Sequence, residues 1–128
     1  MSSVLANITV AEIMSIKVHS ISSDKTVEQA HNLMEARGFS GLPVVDDGKL
    51  AGIITRKDIK NIEFEKRAKT KVKDVMTKQV LTTVPEERVS IILERMLKRR
   101  VGRMPVVSKT GAIVGMVTLA DIDKASKT

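Results

Sequence analysis

Two eight-residue stretches hold the side chains best suited to chemistry: GIITRKDI at residues 52–59 and GMVTLADI at residues 115–122. Each reads glycine, two apolar residues, threonine, two variable residues, aspartate, isoleucine. A threonine that ends a strand and opens a helix sits among unpaired backbone N–H groups, which attract phosphate. An ionised aspartate one turn further on can accept hydrogen bonds from both hydroxyls of a ribose. Phosphate and a vicinal diol together describe a nucleotide. The same spacing also describes a helix capping box, in which threonine and acid satisfy each other's backbone. Thr9-Val10-Ala11-Glu12 repeats that spacing with no other sign of a ligand, so the four-residue pattern alone leaves both readings open.

Other chemistries find less support. Asp58 and Asp121 could be imagined as catalytic carboxylates, but no activated nucleophile or second acid accompanies them, so no catalytic residues are assigned and no enzyme is expected. His19 and His31 are the only histidines and there is no cysteine, which leaves no metal site and no resident cofactor to expect. The run LKRRVGR at residues 97–103 is strongly basic. At a helix end it complements the helix dipole, and it could equally meet phosphate.

The elements that position these residues come in duplicate. A shift of 62 lays Val10 on Val72, Met14 on Met76, Val18 on Val80, Val27 on Val89, Met34 on Met96 and Pro43-Val44-Val45 on Pro105-Val106-Val107. One extra residue in the second turn makes the shift 63, which lays Gly48, Gly52, Thr55, Asp58 and Ile59 on Gly111, Gly115, Thr118, Asp121 and Ile122. Each copy opens with a short helix (TVAEIM, KVKDVM) and a brief strand near residues 18–21 or 80–83. A longer helix follows, with apolar stripes Val27, Ala30, Leu33, Met34 and Val89, Ile92, Leu93, Met96, Leu97, and Gly38 stops the first of them. A hairpin turns at residues 46–49 or 108–111, and a short helix closes the copy. The predicted fold is α/β (α+β): two β-α-β-β-α repeats, residues 9–62 and 71–125, joined by a linker at 63–70. They are expected to pack with pseudo-two-fold symmetry through their sheets and to leave clefts between them. The wider joining segment, residues 60–74, reads as a helix end and a solvated linker, with a basic contact surface as the alternative.

The chain has 128 residues and a net charge of +7, so anionic partners are plausible. Two phenylalanines without tyrosine or tryptophan leave little to stack on single strands, while duplex contact through phosphates stays open. No apolar run approaches a membrane span, and no signal peptide is read at the start; with no cysteine, a cytoplasmic location is expected.

The stretches GFSGLPVVDDGKLAGIITRKDI and RVGRMPVVSKTGAIVGMVTLADI resemble the two signature stretches of cystathionine-β-synthase (CBS) domains, and the openings EIMS and DVMT resemble theirs. The likeness runs from about residue 9 to 124. A tandem pair of this kind, a Bateman module, is similar to a flat α/β disc with two ligand clefts. The resemblance implies a stand-alone regulatory module that binds an adenine nucleotide or adenosyl ligand, such as AMP, ADP, ATP or S-adenosylmethionine. It would signal to an effector protein, and the apolar helix faces that a small two-copy unit leaves uncovered add the expectation of a homodimer. It further implies that Thr55 with Asp58, and Thr118 with Asp121, are the phosphate and ribose pairs. Phe39, Ser40, Gly41, Leu42 and Pro43 would border one ligand, and Val101, Gly102, Arg103, Met104 and Pro105 the other. Arg103 would be a phosphate clamp with no equal at Gly41, where Arg56 and Lys57 could compensate. Lys17, Val18, His19, Gln79 and Val80 would stand near the base. The alternative function is a basic nucleic-acid-binding or scaffold protein on the same frame.

Overall fold

The computed structural model describes residues 3–127. The chain divides into two compact units, and their boundaries differ from those of the sequence repeats. A continuous unit spans His19–Val80, and a composite unit joins the stretch ending at Val18 to the stretch beginning at Leu81. In chain order the elements are α1 (Ser3–Asn7), α2 (Val10–Ile13), α3 (Val27–Arg37), β1 (Gly41–Asp46), β2 (Lys49–Thr55), α4 (Arg56–Lys60), α5 (Val89–Arg99), β3 (Arg103–Val107), β4 (Ile113–Thr118) and α6 (Leu119–Ser126).

Each unit is built around one antiparallel hairpin, β1–β2 or β3–β4. Asp47 and Gly48 close the first, both at positive φ, the two-residue turn whose twist suits a hairpin. The registers shift at matching points, Val44/Val45 and Val106/Val107. At those points a third segment joins, Ile21 beside Val44 and Thr83 beside Val106, each by a single parallel bridge. The brief opening strands expected from the sequence are thus reduced to one residue each. The chain turns away at once, held by Ser23 N–H donating to the Asp46 carboxylate in one unit, while Pro85 supplies no N–H to extend pairing in the other.

The segment that leads each sequence repeat serves the unit containing the other repeat's hairpin. In the composite unit the Ile8 carbonyl accepts from Val89 N–H at the start of α5, and Ser15 pairs with Met116 of β4. In the continuous unit the Thr70 carbonyl accepts from Val27 N–H at the start of α3, and Thr77 pairs with Ile53 of β2. Between these anchors Val10 and Val72 are fully buried. The joining segment is therefore docked, its carbonyls satisfying the first amides of α3 (Glu28 N–H donates to the Arg67 carbonyl), with only short 3₁₀ turns at Phe64–Lys66 and Val72–Asp74.

The two cores match position by position. Val10, Val89, Ile92, Met96, Met104, Val106, Val117 and Ile122 in the composite unit answer Val72, Val27, Ala30, Met34, Leu42, Val44, Ile54 and Ile59 in the continuous one. Leu97, assigned to the apolar stripe of α5, is instead 59 % exposed, as is much of Ile91. Helix α1, five residues that show no periodicity in the sequence, adds Leu5 to the composite core.

One departure from this symmetry is polar. Thr83, buried where the continuous unit has Ile21, donates its hydroxyl to Glu87 Oε1 at 2.6 Å. Arg95 grips both oxygens of the same carboxylate, at 3.1 and 2.5 Å, where the other repeat has Lys25 and Leu33. Hydrogen bonding from Arg95, more than from Thr83, holds the Glu87 carboxyl below its ordinary value of 4.5, against the opposing effect of burial. A depressed folded value stabilises the fold above the unfolded value, and that stabilisation is lost as pH falls through the folded one. Glu87→Gln is therefore expected to cost up to about 1 kcal/mol at pH 7. The deficit against wild type should shrink in urea melts as pH falls below 4.5 and through the lowered folded value; a deficit independent of pH would contradict the assignment.

Candidate functional site

Both repeated phrases stand at a strand-to-helix junction, as β2 passes into α4 and β4 into α6. The extended backbone of Thr55 and Thr118 precedes each helix, and both threonines accept from the aspartate's backbone N–H. Thr55 N–H donates to Asp58 Oδ2 at 2.8 Å, and Thr118 N–H donates to Asp121 Oδ2 at 2.9 Å. Both pairs are complete capping boxes, and so is Thr26 with Gln29, while at Thr9 the backbone N–H donates to Glu12 in the same way. Capping engages one carboxylate oxygen of each aspartate. Oδ1 has no hydrogen-bond partner among the described residues, so a single carboxylate can hold the helix start and still accept from a ligand hydroxyl.

The two pairs differ in their surroundings. Thr55 donates its hydroxyl proton to Asp58 Oδ2 at 3.1 Å, whereas Thr118 makes no matching bond to Asp121. In register Arg103 lies opposite Thr118, and Gly41 lies opposite Thr55. A Cβ on Gly41 would meet the Ile54 carbonyl oxygen at 3.2 Å and the Thr55 methyl at 3.3 Å, so a long side chain there would crowd the pair. Arg56, expected from the sequence to compensate together with Lys57, is held by other groups. Its guanidinium reaches back to the end of α3, donating to the Phe39 carbonyl at 2.9 Å and pairing with Glu35. Lys57 remains exposed.

The division into units also sorts the other expected residues. Lys17 and Val18 share the composite unit with 101–105, Thr118 and Asp121. His19, Gln79 and Val80 share the continuous unit with 39–43, Thr55 and Asp58, and the His19 ring lies 5.5 Å from that of Phe39. Leu42 and Met104 are fully buried core side chains, and Gly41, Pro43 and Pro105 are buried too. Ser40 and Gly102 are exposed, while Phe39 and Val101 are half-buried.

In the composite unit Asp121 borders a cleft of about 440 Å³, lined also by Val4, Ile8, Glu12, Ile13, Lys124 and Ala125. Apolar walls with a few polar groups are the usual make-up of a small-molecule site. Glu12, which in the sequence looked like a mere capping partner, thus stands on the same cleft as Asp121. Spacing could not reveal this, because the cleft is made by α1, α2 and α6 meeting in the fold. Among the described residues no helix is long and apolar enough to cross a membrane.

A duplicated hairpin flanked by helices, with Thr–Asp capping pairs at both exits, defines a tandem α/β module. The CBS domain model matches residues 10–64 and 72–128, and the chain belongs to the CBS domain family as a tandem pair. Its sequence is 44 % identical over 117 residues to inosine-5′-monophosphate dehydrogenase of Methanocaldococcus jannaschii, covering 91 % of this chain and 23 % of that protein. It is 36 % identical over 121 residues to the uncharacterized protein MJ1232 of the same organism, covering 94 % of this chain and 40 % of that one. The chain thus spans about a quarter of the dehydrogenase, whose activity is stated of that protein alone. Among solved structures it resembles the CBS domain pair of protein MJ0100 in complex with 5′-methylthioadenosine and S-adenosyl-L-methionine, at TM-score 0.77 and 31 % identity, covering 91 % and 93 % of the two chains. It also resembles CBSX2 in complex with AMP, at TM-score 0.85 and 25 % identity, covering 94 % and 97 %.

Proposed function

We propose that this CBS pair is a non-catalytic regulatory module that binds an adenosyl ligand at its Thr–Asp pairs and passes the signal to a separate effector protein. The observation that carries the reading is the half-engaged carboxylate. Asp58 and Asp121 each spend Oδ2 on the helix start and keep Oδ1 for a ribose hydroxyl, and the similar CBS pairs of MJ0100 and CBSX2 are in complex with methylthioadenosine and S-adenosylmethionine and with AMP. Ligand binding then favours one arrangement of the protein over another, and the effector reads that arrangement. A second copy of the chain is the natural cover for Ile91 and Leu97, both exposed on α5. A cytoplasmic location fits this role.

Calorimetric titration with AMP, ATP, S-adenosylmethionine and methylthioadenosine tests the reading, and at least one is expected to bind below millimolar concentration. No heat from any of them, together with salt-dependent binding to arbitrary duplex DNA, would replace the sensor with a nucleic-acid binder. In the same samples, sedimentation is expected to show a dimer at micromolar concentration; a lone monomer would remove the homodimer from the proposal.

A further inference from the structure

The end of α5 carries a charge pattern that capping and core packing leave unexplained. Lys98, Arg99 and Arg100 are all exposed, and none forms an ion pair among the described residues. Arg100 also occupies the left-handed region, with φ 55° and ψ 43°, where the other repeat places Gly38 at φ 69° and ψ 28°. A side chain is disfavoured in that conformation and glycine is not. The helix dipole rewards any basic residue in the last turn, so it accounts for Lys98 and Arg99. It gives no reason to place a third charge at the one position where glycine is cheaper.

The basic turn leads directly to the Thr118–Asp121 pair. Three residues beyond Arg100, Arg103 lies opposite Thr118 in the hairpin. Between them, the Gly102 carbonyl accepts from Leu119 N–H at 3.0 Å, which fixes the loop against the start of α6. The continuous unit offers Ala36, Arg37, Gly38 and Gly41 at the matching positions, a single cation in place of four. The two Thr–Asp pairs therefore differ in the charge set beside them.

We infer that the composite unit is selective for nucleoside polyphosphates, with Lys98, Arg99 and Arg100 meeting the phosphates beyond the first. The inference rests on the adenosyl-binding reading and extends it to a ligand class. Charge complementarity carries it: three exposed cations without an ion pair among the described residues stand on the turn that Gly102 ties to the start of α6, and Arg is suited to grip phosphate oxygens in pairs.

Titrating wild type, the double variant Arg99→Ala/Arg100→Gly and the control Arg37→Ala with adenosine, AMP and ATP tests it. In wild type ATP should bind more tightly than AMP. The double variant should weaken ATP about threefold to tenfold and leave AMP and adenosine within about twofold, the range expected of exposed charge contacts. The loss should shrink at high ionic strength, and Arg37→Ala should change nothing. Because Arg100→Gly relieves a positive φ, its melting temperature should match or exceed that of wild type, so lost binding will not reflect lost folding. An unchanged ratio of ATP to AMP affinity in the double variant overturns the inference while leaving adenosyl binding intact. If none of the three ligands binds wild type, the adenosyl reading falls and takes this inference with it.

Discussion

Replacing Gly52 with alanine is expected to lower stability by about 2–3 kcal/mol, because overpacking against backbone forces a whole segment to move. A Cβ at this position would stand 2.6 Å from the Thr77 carbonyl oxygen and 3.0 Å from Met76 Sδ. Thr77 is bridged to Ile53 by two backbone hydrogen bonds of 2.9 Å, so it cannot yield without losing the pairing that docks its segment. The matching change, Gly115→Ala, should cost less. There the closest atom is the flexible Met14 Sδ at 2.7 Å, and the Ser15 carbonyl oxygen is 3.0 Å away. Gly102→Ala serves as the control, since nothing lies within 4 Å of its added carbon. Urea unfolding should rank the three in that order, and equal losses at Gly52 and Gly102 would remove the close-approach explanation. The first glycine of the repeated phrase is thus there for the segment that crosses it.

The second large effect concerns the aspartates. Asp121→Ala removes a helix cap and the proposed ribose acceptor together. The cap loss should cost about 1 kcal/mol of stability. Loss of charge-assisted hydrogen bonds to ribose hydroxyls should weaken adenosyl binding by about tenfold to a hundredfold. Gln29→Ala separates these effects, because Gln29 completes the capping box of α3 at a place with no proposed ligand role. It should lower the melting temperature by a similar amount and leave binding unchanged. If Gln29→Ala and Asp121→Ala weaken binding equally, the effect is one of stability, and Asp121 has no role as a ligand group.

Much of this arrangement was legible in the sequence because it is local. Asp46-Asp47-Gly48-Lys49 makes a hairpin turn whatever surrounds it, and Gly38 ends a helix through its own conformational freedom. The Thr-x-x-Asp spacing encodes a capping box within four residues, and the structure contains one at every place where that spacing occurs before a helix. The doubled pattern of apolar residues likewise marks the core positions of both units. Leu97 escaped because helical periodicity ranks positions by hydrophobicity and cannot see which neighbours are present. Helix α1 escaped because five residues hold too few turns for a pattern, and such a short helix forms only when packing stabilises it.

What the sequence by itself determined, then, is a duplicated α/β unit with a capping Thr–Asp pair at the end of each copy. Tertiary structure alone decided which opening segment serves which hairpin. Val10 and Val72 are the same residue in equivalent positions, so local preference cannot choose between the two cores; the choice lies in pairings such as Ser15 with Met116 and Thr77 with Ile53. The same is true of the surroundings of Asp121. Glu12 and Val4 reach its cleft only through the packing of α1, α2 and α6, and Arg103 comes opposite Thr118 only through the hairpin register. Local chemistry writes the pair, and long-range packing makes its two copies unequal.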